Sequence, residues 1–178
     1  MVVVDTNVAV VANGKSEQAS DDCVLICIQR LKEIVEGKKK LIIDDGWRII
    51  REYKNNLRSQ GQPGLGDAFF KWVLTNWANP LRCEQVKITE TGTSGTEFSE
   101  FPSVADLDDF DPSDRKFVAV ALAHPLRPPI LQAVDGKWKA FEEALIRSGV
   151  TVDFICSNRA KSPTVRKQNR LSRRRRKS

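Results

Sequence analysis

The chain begins with Met1-Val2-Val3-Val4-Asp5-Thr6-Asn7-Val8, and these eight residues carry its strongest structural signal. Three consecutive β-branched residues, Val2 to Val4, are typical of a short strand that is buried on both faces of a parallel sheet. Asp5 follows directly, at the carboxyl end of the predicted strand, where ligands bind in open α/β sheets. A buried carboxylate needs a partner, so the stretch predicts either a ligand site or, alternatively, an Asp that only caps the loop after the strand.

Short apolar strands and amphipathic helices alternate along the rest of residues 1–156. Further strands are expected at 41–43, 83–88, 129–134 and 150–155. Helices are expected at 20–36, from 44 or 45 to 57, around 69–77, at 111–125 and at 137–147. This order predicts an α/β fold, a three-layer α/β/α sandwich around a mainly parallel sheet.

Composition is that of one ordinary domain, because 178 residues with 40% hydrophobic content can build a single core. The four cysteines do not form a dense disulfide framework or complete a zinc site, so reduced, mostly buried thiols are expected. No signal peptide and no run of bilayer length is visible, which favours a cytoplasmic protein without a membrane partner.

The net charge of +6 is unevenly distributed. Residues 157–178 hold ten of the 29 basic residues and no acidic one, so residues 1–156 are net acidic. A segment with so many like charges and so few apolar residues is predicted to be a disordered tail that binds phosphate backbones. It could instead only aid solubility, or dock on the acidic segment 106–111 and shield the site. The densest nucleic-acid-binding candidates are Arg173, Arg174, Arg175, Arg176 and Lys177.

Four carboxylates from distant parts of the chain are predicted to meet at one end of the sheet. Asp5 and Asp135 each follow an apolar strand, Asp114 lies near a helix start, and Glu52 lies in the helix after the second strand. Each one alone could be a helix cap, a turn residue or a solvated side chain. Together their repulsion calls for a divalent cation, and hard oxygen ligands select Mg²⁺ or Mn²⁺.

At these residues the chain resembles the PIN-domain nucleases. The resemblance covers about residues 2–156 and makes Asp5, Glu52, Asp114 and Asp135 the metal ligands and catalytic acids, with Thr6, Asn7, Asp45 and Ser113 as supporting residues. Where many members of the family carry a second acidic or small polar residue after the fourth acid, this chain has Gly136-Lys137-Trp138. The matching stretches are Val3-Val4-Asp5-Thr6-Asn7-Val8, Ile43-Asp44-Asp45 with Glu52-Tyr53, Ser113-Asp114-Arg115-Lys116-Phe117-Val118-Ala119, and Val134-Asp135-Gly136-Lys137-Trp138.

The resemblance implies a metal-dependent endonuclease that acts on RNA rather than DNA and leaves 5′-phosphate and 3′-hydroxyl ends. Many small PIN proteins are the toxin half of a toxin–antitoxin pair, which would add an antitoxin-like partner, and a homo-oligomer is compatible with this reading. The alternative of another class is a non-catalytic RNA-binding module with a PIN fold. A single histidine and the lack of a Gly-rich first turn disfavour histidine-based hydrolysis and nucleotide-binding folds.

Overall fold

The computed structural model describes residues 1–61 and 63–156. The basic segment 157–178, with Arg173, Arg174, Arg175, Arg176 and Lys177, lies outside the described residues.

Five short strands form the sheet, and every pairing between them is parallel. Three strands lie in the order β1-β4-β5 and two in the order β2-β3. A bridge between Val2 and Leu41 joins the two parts, which gives the spatial order β3-β2-β1-β4-β5. The strands are β1 (Val3–Val4), β2 (Leu41–Asp44), β3 (Cys83–Val86), β4 (Ile130–Gln132) and β5 (Val152–Phe154).

Helices connect the strands and cover the sheet, and none within the described residues is long and apolar enough to cross a membrane. They are α1 (Thr6–Ala12), α2 (Asp21–Val35), α3 (Arg48–Asn56), α4 (Leu65–Asn76), α5 (Arg115–Ala123), α6 (Gly136–Ala140) and α7 (Glu142–Arg147), with a 3₁₀ turn at Ala105–Leu107.

The predicted α/β class with a parallel sheet is confirmed, and the differences lie mainly at element ends. The helix expected at 111–125 begins only at Arg115, because i→i+3 hydrogen bonds hold residues 111–115 in tight turns. The helix expected at 137–147 is broken at Phe141 into α6 and α7. The strand expected at 83–88 ends at Val86.

The central strands β1 and β2 are held by burial on both faces and by a hydrogen bond from α3. Val3, Val4 and the apolar residues of β2 are fully buried, as a strand covered on both faces requires. The Tyr53 hydroxyl donates to the Val4 carbonyl at 2.6 Å, which ties α3 to the end of β1. Helix α3 is therefore held beside the residue that follows β1, namely Asp5.

Helix α1 is held by its contact with α4. A Cβ at Gly66 would lie 1.9 Å from the Ala9 carbonyl oxygen, so only glycine permits this approach. The Asn13 side chain donates to Asp67 at 2.7 Å and accepts from the Asp67 backbone at 3.0 Å. These contacts fix the middle and the C-terminal end of α1 against α4.

The cysteines differ from the prediction of reduced thiols. Cys23 and Cys156 form a disulfide across 133 residues, and the buried Cys27 sulfur lies 3.8 Å from that of Cys156. The prediction was wrong because the sequence does not show that the chain after β5 returns to the first turn of α2. In the chain-entropy model, closing a loop of this length stabilises the fold by about 5 kcal/mol.

Candidate metal centre

The predicted acids lie at the point where the sheet reverses its order. From β1 the chain moves to β2 and β3 on one side, and it later returns to place β4 and β5 on the other. Such a reversal between neighbouring parallel strands opens a crevice beyond their carboxyl ends. Asp5 follows β1 and Asp135 follows β4, so both stand at this crevice.

Asp5 is the most deeply buried of the four acids, with 4% of its surface exposed. It caps α1, accepting from the Asn7 backbone N–H at 2.9 Å, so the capping alternative is also correct. Burial and then the negative charge of Asp114 raise the pKa of Asp5 well above its ordinary value, and Glu52 and Asp135 add to the rise. The other three acids therefore all act electrostatically on Asp5.

Asp135 caps α6 in the same way, accepting from the Lys137 backbone N–H at 2.9 Å. Each of these capping bonds uses one carboxylate oxygen, which leaves the second oxygen for a ligand. An open cleft of about 470 Å³ adjoins the acid, a size that suits a small ligand or a nucleotide. The cleft is lined by Asn7, Ser16, Glu17, Gln18, Val134 and Asp135.

Asp114 is the N-cap residue of α5, which agrees with its expected place near a helix start. The indole N–H of the buried Trp138 donates to its Oδ2 at 2.9 Å. Burial raises the pKa of Asp114 to about 6, the indole hydrogen bond opposes this rise, and the charges of Asp111 and Glu52 add to it. Asp114 therefore changes charge close to neutral pH.

Glu52 projects from the middle of α3 toward the same cluster. Its Oε1 accepts from the Thr6 hydroxyl at 2.6 Å, and its Oε2 contacts the ammonium group of Lys116. Thr6 thus supports Glu52 directly. Lys116 is thus a further member of the site, and its position two residues after Asp114 does not by itself indicate this role.

The donor set suits Mg²⁺ or Mn²⁺, since carboxylate oxygens are the ligands that these ions prefer and a cation would relieve the repulsion on Asp5. The acids are more widely spaced than the ligands of one fully dehydrated ion. Within residues 1–61 and 63–156, no three of them bring an oxygen each to within 4.8 Å of one another, whereas Cys23, Cys27 and Cys156 bring their sulfurs that close. Mg²⁺ keeps several of its waters in proteins, and such waters can span the wider gaps.

Of the remaining predicted supporting residues, Asn7 and Ser113 make contacts near the acids and Asp45 does not. Asn7 links the first turn of α1 to the residue after β4, because its side-chain oxygen accepts from the Ala133 backbone N–H at 3.0 Å. Asp45 is exposed. The N-cap residue of α3 is Trp47, and the side chain of the buried Asp44 accepts from the first two backbone N–H groups of the helix, those of Arg48 and Ile49. Ser113 turns its hydroxyl to Asp111 at 2.8 Å, and its carbonyl accepts from Lys116. Asp45 therefore has no supporting contact with the acids, and Ser113 acts through its backbone.

No family model, curated protein or solved structure matches the chain.

The raised pKa of Asp114 predicts how the metal-free protein responds to pH. Because the folded state holds this proton up to about pH 6 while the unfolded state releases it near 3.8, stability should fall as pH rises between these values. Asp114→Asn should reduce this fall, leaving the part that Asp5 contributes, and raise the free energy of unfolding at pH 7 by about 1–3 kcal/mol. Urea unfolding in EDTA at pH 4.5, 6 and 7.5 measures both. An equal pH dependence in the two proteins would contradict the assignment.

Proposed function

We propose that the protein is a PIN-like, metal-dependent endonuclease that hydrolyses single-stranded RNA, with its parallel sheet as the centre of a three-layer α/β/α sandwich. One observation carries the proposal: four carboxylates from separate elements act on each other at the reversal point of a parallel sheet. All three partner acids raise the pKa of the buried Asp5. A structural cap needs one carboxylate, and gathering four has a cost that a bound divalent cation offsets.

In this proposal Asp5, Asp114 and Asp135 hold Mg²⁺ or Mn²⁺, and Glu52 completes the acidic shell. The ion, when bound, supplies an activated water and stabilises charge on the phosphodiester. The chain's own contribution is positioning. The caps of α1 and α6 orient Asp5 and Asp135, while the Trp138 indole orients Asp114 and keeps more of it ionised.

Substrate binding calls for positive charge, because the described part of the site is strongly acidic. The ten basic residues of segment 157–178 can supply it by contacting phosphates and releasing counterions. This division of roles gives an acidic cleft for the metal and a basic segment for the nucleic acid.

The direct test is cleavage of a single-stranded RNA, labelled in separate reactions at its 5′ or its 3′ end, by the purified full-length chain in Mn²⁺ and in EDTA. We expect cleavage with Mn²⁺ only, and products that carry a 5′-phosphate, detected by their ligation without prior kinase treatment. Cleavage in EDTA with cyclic-phosphate ends would contradict the mechanism, and binding without cleavage would favour the RNA-binding module.

A further inference from the structure

Lys116 is a buried cation inside the acidic cluster. It is the second residue of α5, and its side chain is only 11% exposed. Its ammonium group contacts Glu52 Oε2 and the Ser113 carbonyl, and it lies 4.8 Å from the centre of the Phe117 ring. Lysine is almost never buried without compensation, so the local negative charge must stabilise it.

The charge of Lys116 acts on more than its direct partner. It lowers the pKa of Asp114, opposing the rise that burial and the other acids cause. Lys116 therefore partly neutralises both Glu52 and Asp114. A divalent ion bound among the acids would act on the same side chains in the same way, since its positive charge also favours their ionised forms.

The contacts of Glu52 show what this arrangement does to the ligand set. Thr6 donates to one of its oxygens and Lys116 contacts the other. A carboxylate that is held at both oxygens, one of them by a cation, is a weaker metal ligand than one with an oxygen free, because the ammonium group already balances its charge. Asp5 and Asp135, in contrast, each use one oxygen for a helix cap.

We propose that Lys116 is the permanent cation of this site, so that the acidic cluster binds one divalent ion through Asp5, Asp114 and Asp135 while Lys116 holds Glu52. The proposal rests on the proposed function and refines it, since it fixes the number of ions. Lys116 is a positioning residue that acts through Glu52 and Asp114. It also allows the four acids to fold together before any ion binds.

Mn²⁺ binding to the full-length chain, without RNA, tests the proposal. Titration followed by the electron paramagnetic resonance of free Mn²⁺ gives both stoichiometry and affinity. The wild type should bind one ion tightly. Lys116→Met should bind the first ion at least about tenfold more tightly and take up a second, because a repelling unit charge is removed at close range. Lys116→Arg should behave like the wild type, and Lys71→Met, at an exposed position on α4, should change nothing.

A second variant covers the case in which Lys116→Met does not fold. Lys116→Met combined with Glu52→Gln removes both members of the buried pair, a change that is often neutral for stability. If Glu52 serves only to balance Lys116, the double variant should bind one Mn²⁺ within about threefold of the wild-type affinity. If Glu52 is instead a direct ligand, the affinity of the double variant falls at least about tenfold.

Several outcomes would overturn the proposal: two tightly bound ions in the wild type, weaker or unchanged binding in Lys116→Met, a large loss in the double variant, or no Mn²⁺ binding at all. None of these measurements involves RNA. Failure of the RNA cleavage assay with normal Mn²⁺ results would therefore reject the nuclease and leave the role of Lys116 intact.

Discussion

Asp5→Asn should lower Mn²⁺-dependent RNA cleavage by several orders of magnitude while leaving the protein folded. Asn can still accept the hydrogen bond from the Asn7 backbone, so the cap of α1 is kept. What disappears is the one carboxylate on which the other three acids all act. Single-turnover cleavage of a short RNA at saturating enzyme measures the loss without interference from substrate binding.

The same substitution should stabilise the metal-free protein. The pKa of Asp5 is raised in the folded state, so its contribution to stability decreases as pH rises from about 4 toward the folded pKa. In EDTA at pH 7, Asp5→Asn should therefore unfold at a higher temperature than the wild type, and excess Mn²⁺ should stabilise it less. Loss of activity with a gain in stability separates a functional acid from a structural one.

Asp45→Asn is the matched control, because it makes the same chemical change at an exposed acid. It should leave both cleavage and unfolding temperature unchanged. Equal cleavage by the wild type and Asp5→Asn would indicate a contaminating nuclease or a protein that only binds RNA.

Removing charge from the basic segment should have the second largest effect. Replacing Arg173, Arg174, Arg175, Arg176 and Lys177 with serine removes up to five phosphate contacts. For single-stranded nucleic acid, each contact contributes about 0.7 to the slope of log affinity against log salt. The slope should therefore flatten by up to about 3.5, and affinity at low salt should fall at least about tenfold. Fluorescence anisotropy of a labelled RNA between 50 and 300 mM salt measures both.

Five exposed lysines of the body serve as the control for total charge, and their replacement should change the salt slope far less. Single-turnover cleavage at saturating enzyme should be unaffected by the change in the basic segment. A rise in turnover and affinity would instead mean that the segment shields the acidic site or holds a protein partner. The control lysines are Lys38, Lys39, Lys54, Lys71 and Lys87.

The sequence predicts the position of the site better than its internal contacts. The run Val2 to Val4 is buried and strand-forming by composition alone, so the residue after it can be placed at the sheet edge. The same holds for Asp135 after β4. Strand order needs long-range pairing, and so the reversal between β1 and β4 becomes evident only in the structure.

The parts that could not be predicted all depend on side chains that meet across long sequence separations. No local sequence pattern indicates that Lys116 contacts Glu52, or that the Trp138 indole donates to Asp114. The choice between Asp44 and Asp45 as the cap of α3 was open for a different reason. Both precede the helix, and only the burial of Asp44 and its bonds to the helix N–H groups decide it.

The disulfide between Cys23 and Cys156 has a mechanical consequence. Cys156 lies two residues past the end of β5, at the same sheet edge as the acids, and the basic segment follows it directly. Without the covalent link, tension on that segment would act on β5, which pairs with β4 over only three residues. With the disulfide in place, the pulling force is transmitted through Cys23 to the 15-residue helix α2. A pulling force on the chain after Cys156 would therefore strain α2 before it separates the edge strand β5 from the sheet.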